Sequence, residues 1–197
     1  MRSTKTIKMA QMAILIAIVL IMAFTPLGYL KTAGLEISLI TIPVAIGAMV
    51  IGPGAGAVLG AVFGFTSFYQ CFGMSAFGAM LLSINPFLTF LVSVPTRILM
   101  GYLAGVLFKL LIKMDKSNTV CYFVGGFMTA VLNTLFFMSV LILGFWSTDY
   151  IQGLAAGSNV LMFVVLFVGI NGVVEWIATT VAGGIIAKAV AKIAKNA

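Results

Sequence analysis

Several segments of this chain run 20 residues or more without a charged side chain, as do the 27 from Thr119 to Phe145. A helix of about 20 apolar residues rises roughly 30 Å, the thickness of a bilayer's hydrocarbon core. Composition agrees. Of the 197 residues, 62% are hydrophobic and 8% charged, and the mean hydropathy is +1.24. A water-soluble domain so composed would expose large apolar patches. Barrel strands would be about ten residues long with alternating polarity, and the sequence has no such alternation. The expected fold is an all-α integral membrane bundle, one transmembrane domain over residues 1–197.

Six transmembrane helices are expected, at about 9–29, 38–51, 56–70, 86–112, 119–145 and 158–187. The second and third are short, and Pro43 lies early in the second, so this pair is expected to be tilted, kinked or partly re-entrant. The first has no small-residue cleavage site after it and reads as a retained helix. Lys and Arg flanks are held on the cytoplasmic side. Six spans put Arg2, Lys5, Lys8, Lys109, Lys113, Lys116, Lys188, Lys192 and Lys195 on one face, which places both termini in the cytoplasm. The net charge of +7 is therefore membrane topology and not a phosphate-binding stripe, and no nucleic-acid partner is expected. The segments Lys31–Ile37, Cys71–Asn85 and Trp146–Gly157 then lie outside. Long loops on one face only are the layout of a cup that opens outward beneath a lid.

Gly56, Gly60 and Gly64 recur every four residues, as do Gly101 and Gly105, and such flat faces let helix backbones approach closely inside a bundle. Ala13 and Ala17 repeat the device on the first helix, where internal packing and docking on a separate protein are both open readings. Arg97 falls about ten residues into the fourth helix, roughly 15 Å below the outer surface. An unpaired guanidinium at such depth is expensive and normally faces a cavity or a partner. Glu175 is its acidic candidate at membrane depth, with Asn171 one turn away and Asn133 at comparable depth on the fifth helix. Two readings stay open: a structural Arg97–Glu175 pair glued by amides, or a ligand cavity lined by these residues. Phe68, Tyr69, Phe72, Phe77, Phe87, Trp146 and Tyr150 gather toward the outer ends. Interfacial aromatics are ordinarily belt anchors, but beside the long loops they also suit a lidded pocket for a small organic molecule. Phe68, Tyr69 and Trp146, with Asn85 at the end of the second outer loop, join the candidate substrate-binding residues.

Enzyme chemistry has little to work with. Histidine is absent, which removes histidine triads and histidine metal sites. Asp115 and Asp149 fall on opposite sides of the expected membrane, and no Gly-Lys-Ser or Gly-Lys-Thr phosphate loop occurs. Cys71 and Cys121 lack the spacing of a metal or redox pair and read as packing residues. No catalytic residue, metal or cofactor is expected, and an energised role needs a partner.

Three stretches occur in order: Ile42-Pro43-Val44-Ala45-Ile46-Gly47-Ala48, then Gly52-Pro53-Gly54-Ala55-Gly56-Ala57-Val58-Leu59-Gly60, then Pro95-Thr96-Arg97-Ile98-Leu99-Met100-Gly101. Over nearly its whole length the chain resembles the substrate-binding S component of energy-coupling factor (ECF) vitamin transporters. The resemblance implies six helices, inside termini and capture of a vitamin or vitamin-like nutrient. It also implies a seam at Ala13 and Ala17 that docks on a transmembrane coupling subunit driven by two ATPase subunits. The Pro-x-Arg stretch and the Asn133-Thr134 pair look most like the pantothenate and folate branches. Pantothenate has one carboxylate, which suits one buried arginine; folate has two, and no second buried cation is found. Two other classes compete. A self-sufficient secondary transporter of a small organic anion would want related halves and a titratable relay, for which Glu175 is the candidate. A structural or assembly protein would use the glycine seams but has no need of Arg97.

Overall fold

Long apolar runs without charge become helices because every backbone polar group must then be satisfied within its own segment. The computed structural model describes residues 4–31, 36–115, 117 and 119–196, nearly all of them helical. Arg2 and Lys116 lie outside the described residues. Helix α1 (Thr4–Phe24) buries Leu15, Val19 and Ala23, each four residues from the next, and leaves Ala13, Ile14, Ala17, Ile18 and Ile21 exposed. A short antiparallel hairpin follows, with β1 (Tyr29–Lys31) paired to β2 (Glu36–Ser38) and Tyr29 opposite Ser38. Helix α2 (Thr41–Val50) buries Thr41 and every residue from Pro43 to Met49, so it runs through the interior with little lipid-facing surface.

Gly52, at φ +128°, turns the chain into α3 (Pro53–Gln70), whose proline occupies the first turn, where a missing N–H costs nothing. Two segments expected as outer loops contain helices. Within 71–85, Ser75 caps α4 (Ala76–Ile84) by accepting from the Gly78 N–H at 3.3 Å. Within 146–157, Thr148 caps α8 (Asp149–Ala155). Between them, α5 (Pro86–Ser93) and α6 (Pro95–Met114) form one bent rod, followed by α7 (Val120–Phe145). The chain ends in α9 (Val160–Ala178), a π-helical turn at Thr179–Gly183, and α10 (Gly184–Asn196).

The all-α membrane architecture is as expected; six crossings are not confirmed among the described residues. Among the described residues, four stretches are long and apolar enough to cross: Lys5–Phe24, Pro86–Met114, Val120–Phe145 and Asn171–Ile193. A fifth exists if Asp149–Ala155 and Val160–Gly169, bent by 76°, form one broken span. Helix α2, with ten residues, reaches only about 15 Å. The helix expected over 158–187 is not one rod either. Gly169 takes φ 37° and ψ −138°, a left-handed conformation that breaks the ladder and that a side chain would oppose.

The two glycine seams meet. A Cβ on Gly56 would lie 2.1 Å from the Gly101 carbonyl oxygen, and one on Gly101 would lie 2.0 Å from the Gly56 carbonyl. A Cβ on Gly60 would lie 2.1 Å from the Arg97 carbonyl, and one on Gly105 would lie 2.6 Å from Pro53 Cα. In a membrane, where lipid tails are as apolar as leucine, such backbone approach is a main source of helix association. The seam therefore locks α3 against the stretch of α6 that carries Arg97. At the opposite end of α6, the Asp115 carboxylate accepts from the N–H groups of Ser117, Thr119 and Cys121 and from the Ser117 hydroxyl, at 2.7–2.9 Å. These bonds, the Cys121 N–H first, hold its carboxyl well below the usual carboxylate range.

Candidate ligand-binding site

Pro95 has no N–H to continue the helix through the α5–α6 junction. The Arg97 N–H bonds the Val94 carbonyl instead of reaching back four residues. The Arg97 side chain takes up the released acceptors: Nη1 donates to the carbonyls of Val92 and Ser93, at 3.2 and 3.0 Å. Its guanidinium carbon stands 4.5 Å from the centre of the Phe63 ring and 5.7 Å from that of Phe137. Both rings present a negative face to the cation. Arg97 is 8% exposed, and its buried Nε has no hydrogen-bond partner.

On the other side, α7 and α9 are held in register by two adjacent polar contacts. Asn133 Nδ2 donates to Glu175 Oε1 at 2.9 Å, and Trp176 Nε1 donates to Thr134 Oγ1 at 3.2 Å. Glu175 is also 8% exposed. One turn further, Thr179 opens the π-helical turn, and its hydroxyl lies 2.9 Å from that of Thr41 on the buried α2. Arg97 and Glu175 do not form an ion pair: the partners of the first are the two carbonyls and the rings, while the second accepts from Asn133 and has the Thr41 side chain beside it.

A cavity of about 530 Å³ lies between these walls. It brings together Arg97, Asn133, Asn171 and Glu175 from the candidates read in the sequence. The other four stand elsewhere. Asn85 is spent on the helix junction, its side-chain oxygen accepting from the Leu88 N–H at 3.1 Å. Phe68 packs edge-on against Phe72 and Phe90. Tyr69 is 60% exposed and meets Phe24 of α1, while Trp146 lies against Phe163. Further lining comes from Ser67, Gln70 and Cys71 at the end of α3, from Phe137 on α7, and from Tyr29 and Ser38 of the hairpin. Gln70 is pinned there by donating to the Ala23 carbonyl of α1. Phe77 of α4 and Phe167 of α9, 5.4 Å apart between ring centres, also line the cavity.

A pocket of this size, lined by aromatic side chains and a few fixed polar groups, suits a small organic molecule. Against this geometry stands one family-level match, in which the model for the substrate-specific component of ECF transporters covers residues 7–186. The chain belongs to that family. As an ECF substrate-specific component it is a substrate-binding transporter subunit and not an enzyme, a multi-pass membrane protein that binds a small molecule and associates with an ECF module. A search of curated proteins returns no match.

Proposed function

We propose that this substrate-specific component captures a vitamin or vitamin-like nutrient at the Arg97 cavity from outside the cell membrane. The observation that carries the reading is the guanidinium itself. It is buried at membrane depth, lines a cavity of about 530 Å³, and leaves Nε without a partner. A charge so placed is costly unless an anion completes it, and a planar carboxylate fits the guanidinium's fork. Pantothenate, with its single carboxylate, is the favoured ligand.

The energy comes from elsewhere in this reading: a coupling transmembrane subunit docks along Ala13 and Ala17, and two ATPase subunits drive it. Both small residues are exposed on α1, which fits close approach by a neighbouring helix. The termini are cytoplasmic, set by the Lys and Arg clusters. The test is reconstitution. Uptake into liposomes is expected only when the coupling subunit and both ATPases are present with ATP, and the four proteins are expected to purify together. Sustained transport by this chain alone would overturn the reading in favour of a secondary transporter.

A further inference from the structure

Taking the Arg97 reading as given, we propose that the cavity recognises its ligand at two poles. An anionic group sits at Arg97, and a hydroxyl or amine on the same molecule donates to the Glu175 carboxylate. The inference starts from an imbalance on both sides of the cavity. A carboxylate offers about four acceptor sites, and at Glu175 one oxygen accepts from Asn133. A guanidinium offers five N–H donors; at Arg97 the two hydrogen bonds go to main-chain carbonyls through Nη1, and Nε has none. Opposite charges so buried would ordinarily neutralise each other. These two face one cavity without forming a pair.

A simple monoanion completes Arg97 but lies in the same low-dielectric space as the carboxylate of Glu175, whose spare acceptor capacity it cannot use. A ligand that also carries a donor completes both groups. Asn133 orients the second pole by donating to Oε1, and with Thr41 also beside it the carboxylate still has acceptor capacity for a ligand donor. The wall bearing Glu175 is fixed relative to α7 by the neighbouring Trp176–Thr134 contact. Pantothenate, with a carboxylate at one end and hydroxyls at the other, has this form.

The test uses the full chain in nanodiscs and four probes measured by calorimetry: pantothenate, 6-aminohexanoate, hexanoate and hexylamine. On the wild type the two bipolar probes are expected to bind about tenfold or more tighter than hexanoate, the scale of one hydrogen bond to a charged group, and hexylamine to bind weakest. Glu175→Gln is expected to remove most of that preference, more for 6-aminohexanoate than for pantothenate, while hexanoate binds no more weakly than to wild type because a like charge has been removed. A merely structural Glu175 would instead lower all affinities together. The wild-type ranking needs no variant, so the proposal stays testable if Glu175→Gln fails to fold. Hexanoate equal to the bipolar probes, or a preference that survives Glu175→Gln, overturns the second pole and leaves the Arg97 reading standing. Affinities unmoved by Arg97→Gln overturn both. ATP-driven uptake by the complete complex with no probe bound at millimolar concentration overturns the two-pole site alone.

Discussion

The α-carbon of Gly60 faces the main-chain carbonyl of Arg97 so closely that a Cβ on the glycine would stand 2.1 Å from the oxygen. The residue that positions the buried cation is thus one with no side chain, on a different helix. Gly60→Ala is expected to push α3 and α6 apart, lowering stability by about 1–3 kcal/mol or more, and to weaken ligand binding because Arg97 moves with its backbone. Gly54→Ala on the same helix has no atom within 4 Å of the new methyl and is expected to be neutral or stabilising by up to about 1 kcal/mol. Melting temperatures of the two variants in detergent check the contrast, and equal effects would defeat it.

Arg97→Ala is expected to weaken ligand binding by roughly one hundredfold or more, through loss of a charge-assisted contact, while the protein still folds. Lysine should rescue poorly because it lacks the planar fork. Since Arg97 and Glu175 are not paired, exchanging both for glutamine is expected not to restore affinity. Stability and affinity measured on wild type, both single variants and the double variant decide the matter, and a double variant with wild-type values for both would exclude a ligand role for Arg97.

Ala13→Trp or Ala17→Trp is expected to abolish uptake while ligand binding by the isolated chain stays within about twofold of wild type. Both positions are exposed on the side of α1 away from Leu15, Val19 and Ala23, and bulk there blocks a close helix approach without disturbing the core. Parallel uptake and binding assays test this, and joint loss of the two activities would assign the seam to internal packing.

The Asp115 carboxylate, held low by the N–H of Cys121 and the groups of Ser117 and Thr119, gives stability that is fully present above its unfolded pKa of about 3.9 and is lost as pH falls through the lower folded value. Asp115→Asn is therefore expected to melt below wild type at neutral pH, with the difference closing as pH is lowered beneath about 4. Melting curves across that range provide the check; a gap of constant size would mean the charge is immaterial.

What could be read from the sequence depended on contrast with lipid. Arg97, Glu175, Asn133 and Asn171 stood out because a charge or amide at membrane depth has no bland place to be, and these are the candidates found around one cavity. Phe137 and Phe167 were invisible, since an apolar side chain facing a cavity looks like one facing a bilayer. Gln70 was missed because it sits where a helix ends and polar residues are ordinary; its bond to the Ala23 carbonyl depends on packing across 47 positions of sequence. The α4 helix does not stand out in the sequence because nine residues fall short of a span, although Ser75 and Asn85, each beside a short apolar run, are capping signals. The break at Gly169 left no trace, because a single glycine in a long apolar run is common in membrane helices.

The meeting of Gly56 and Gly60 with Gly101 and the Arg97 backbone separates a part of the bundle that can diversify from a part that cannot. Each contact in that seam is the absence of a side chain, so almost any substitution collides with main chain. The packing of α3 on α6 behind Arg97 is thereby frozen for the descendants of this sequence and for anyone who redesigns it. Asn133, Phe137, Phe167 and Asn171 lie under no such steric rule. A change in the shape of the pocket, by drift or by design, would be written more readily on α7 and α9 than on the glycine seam.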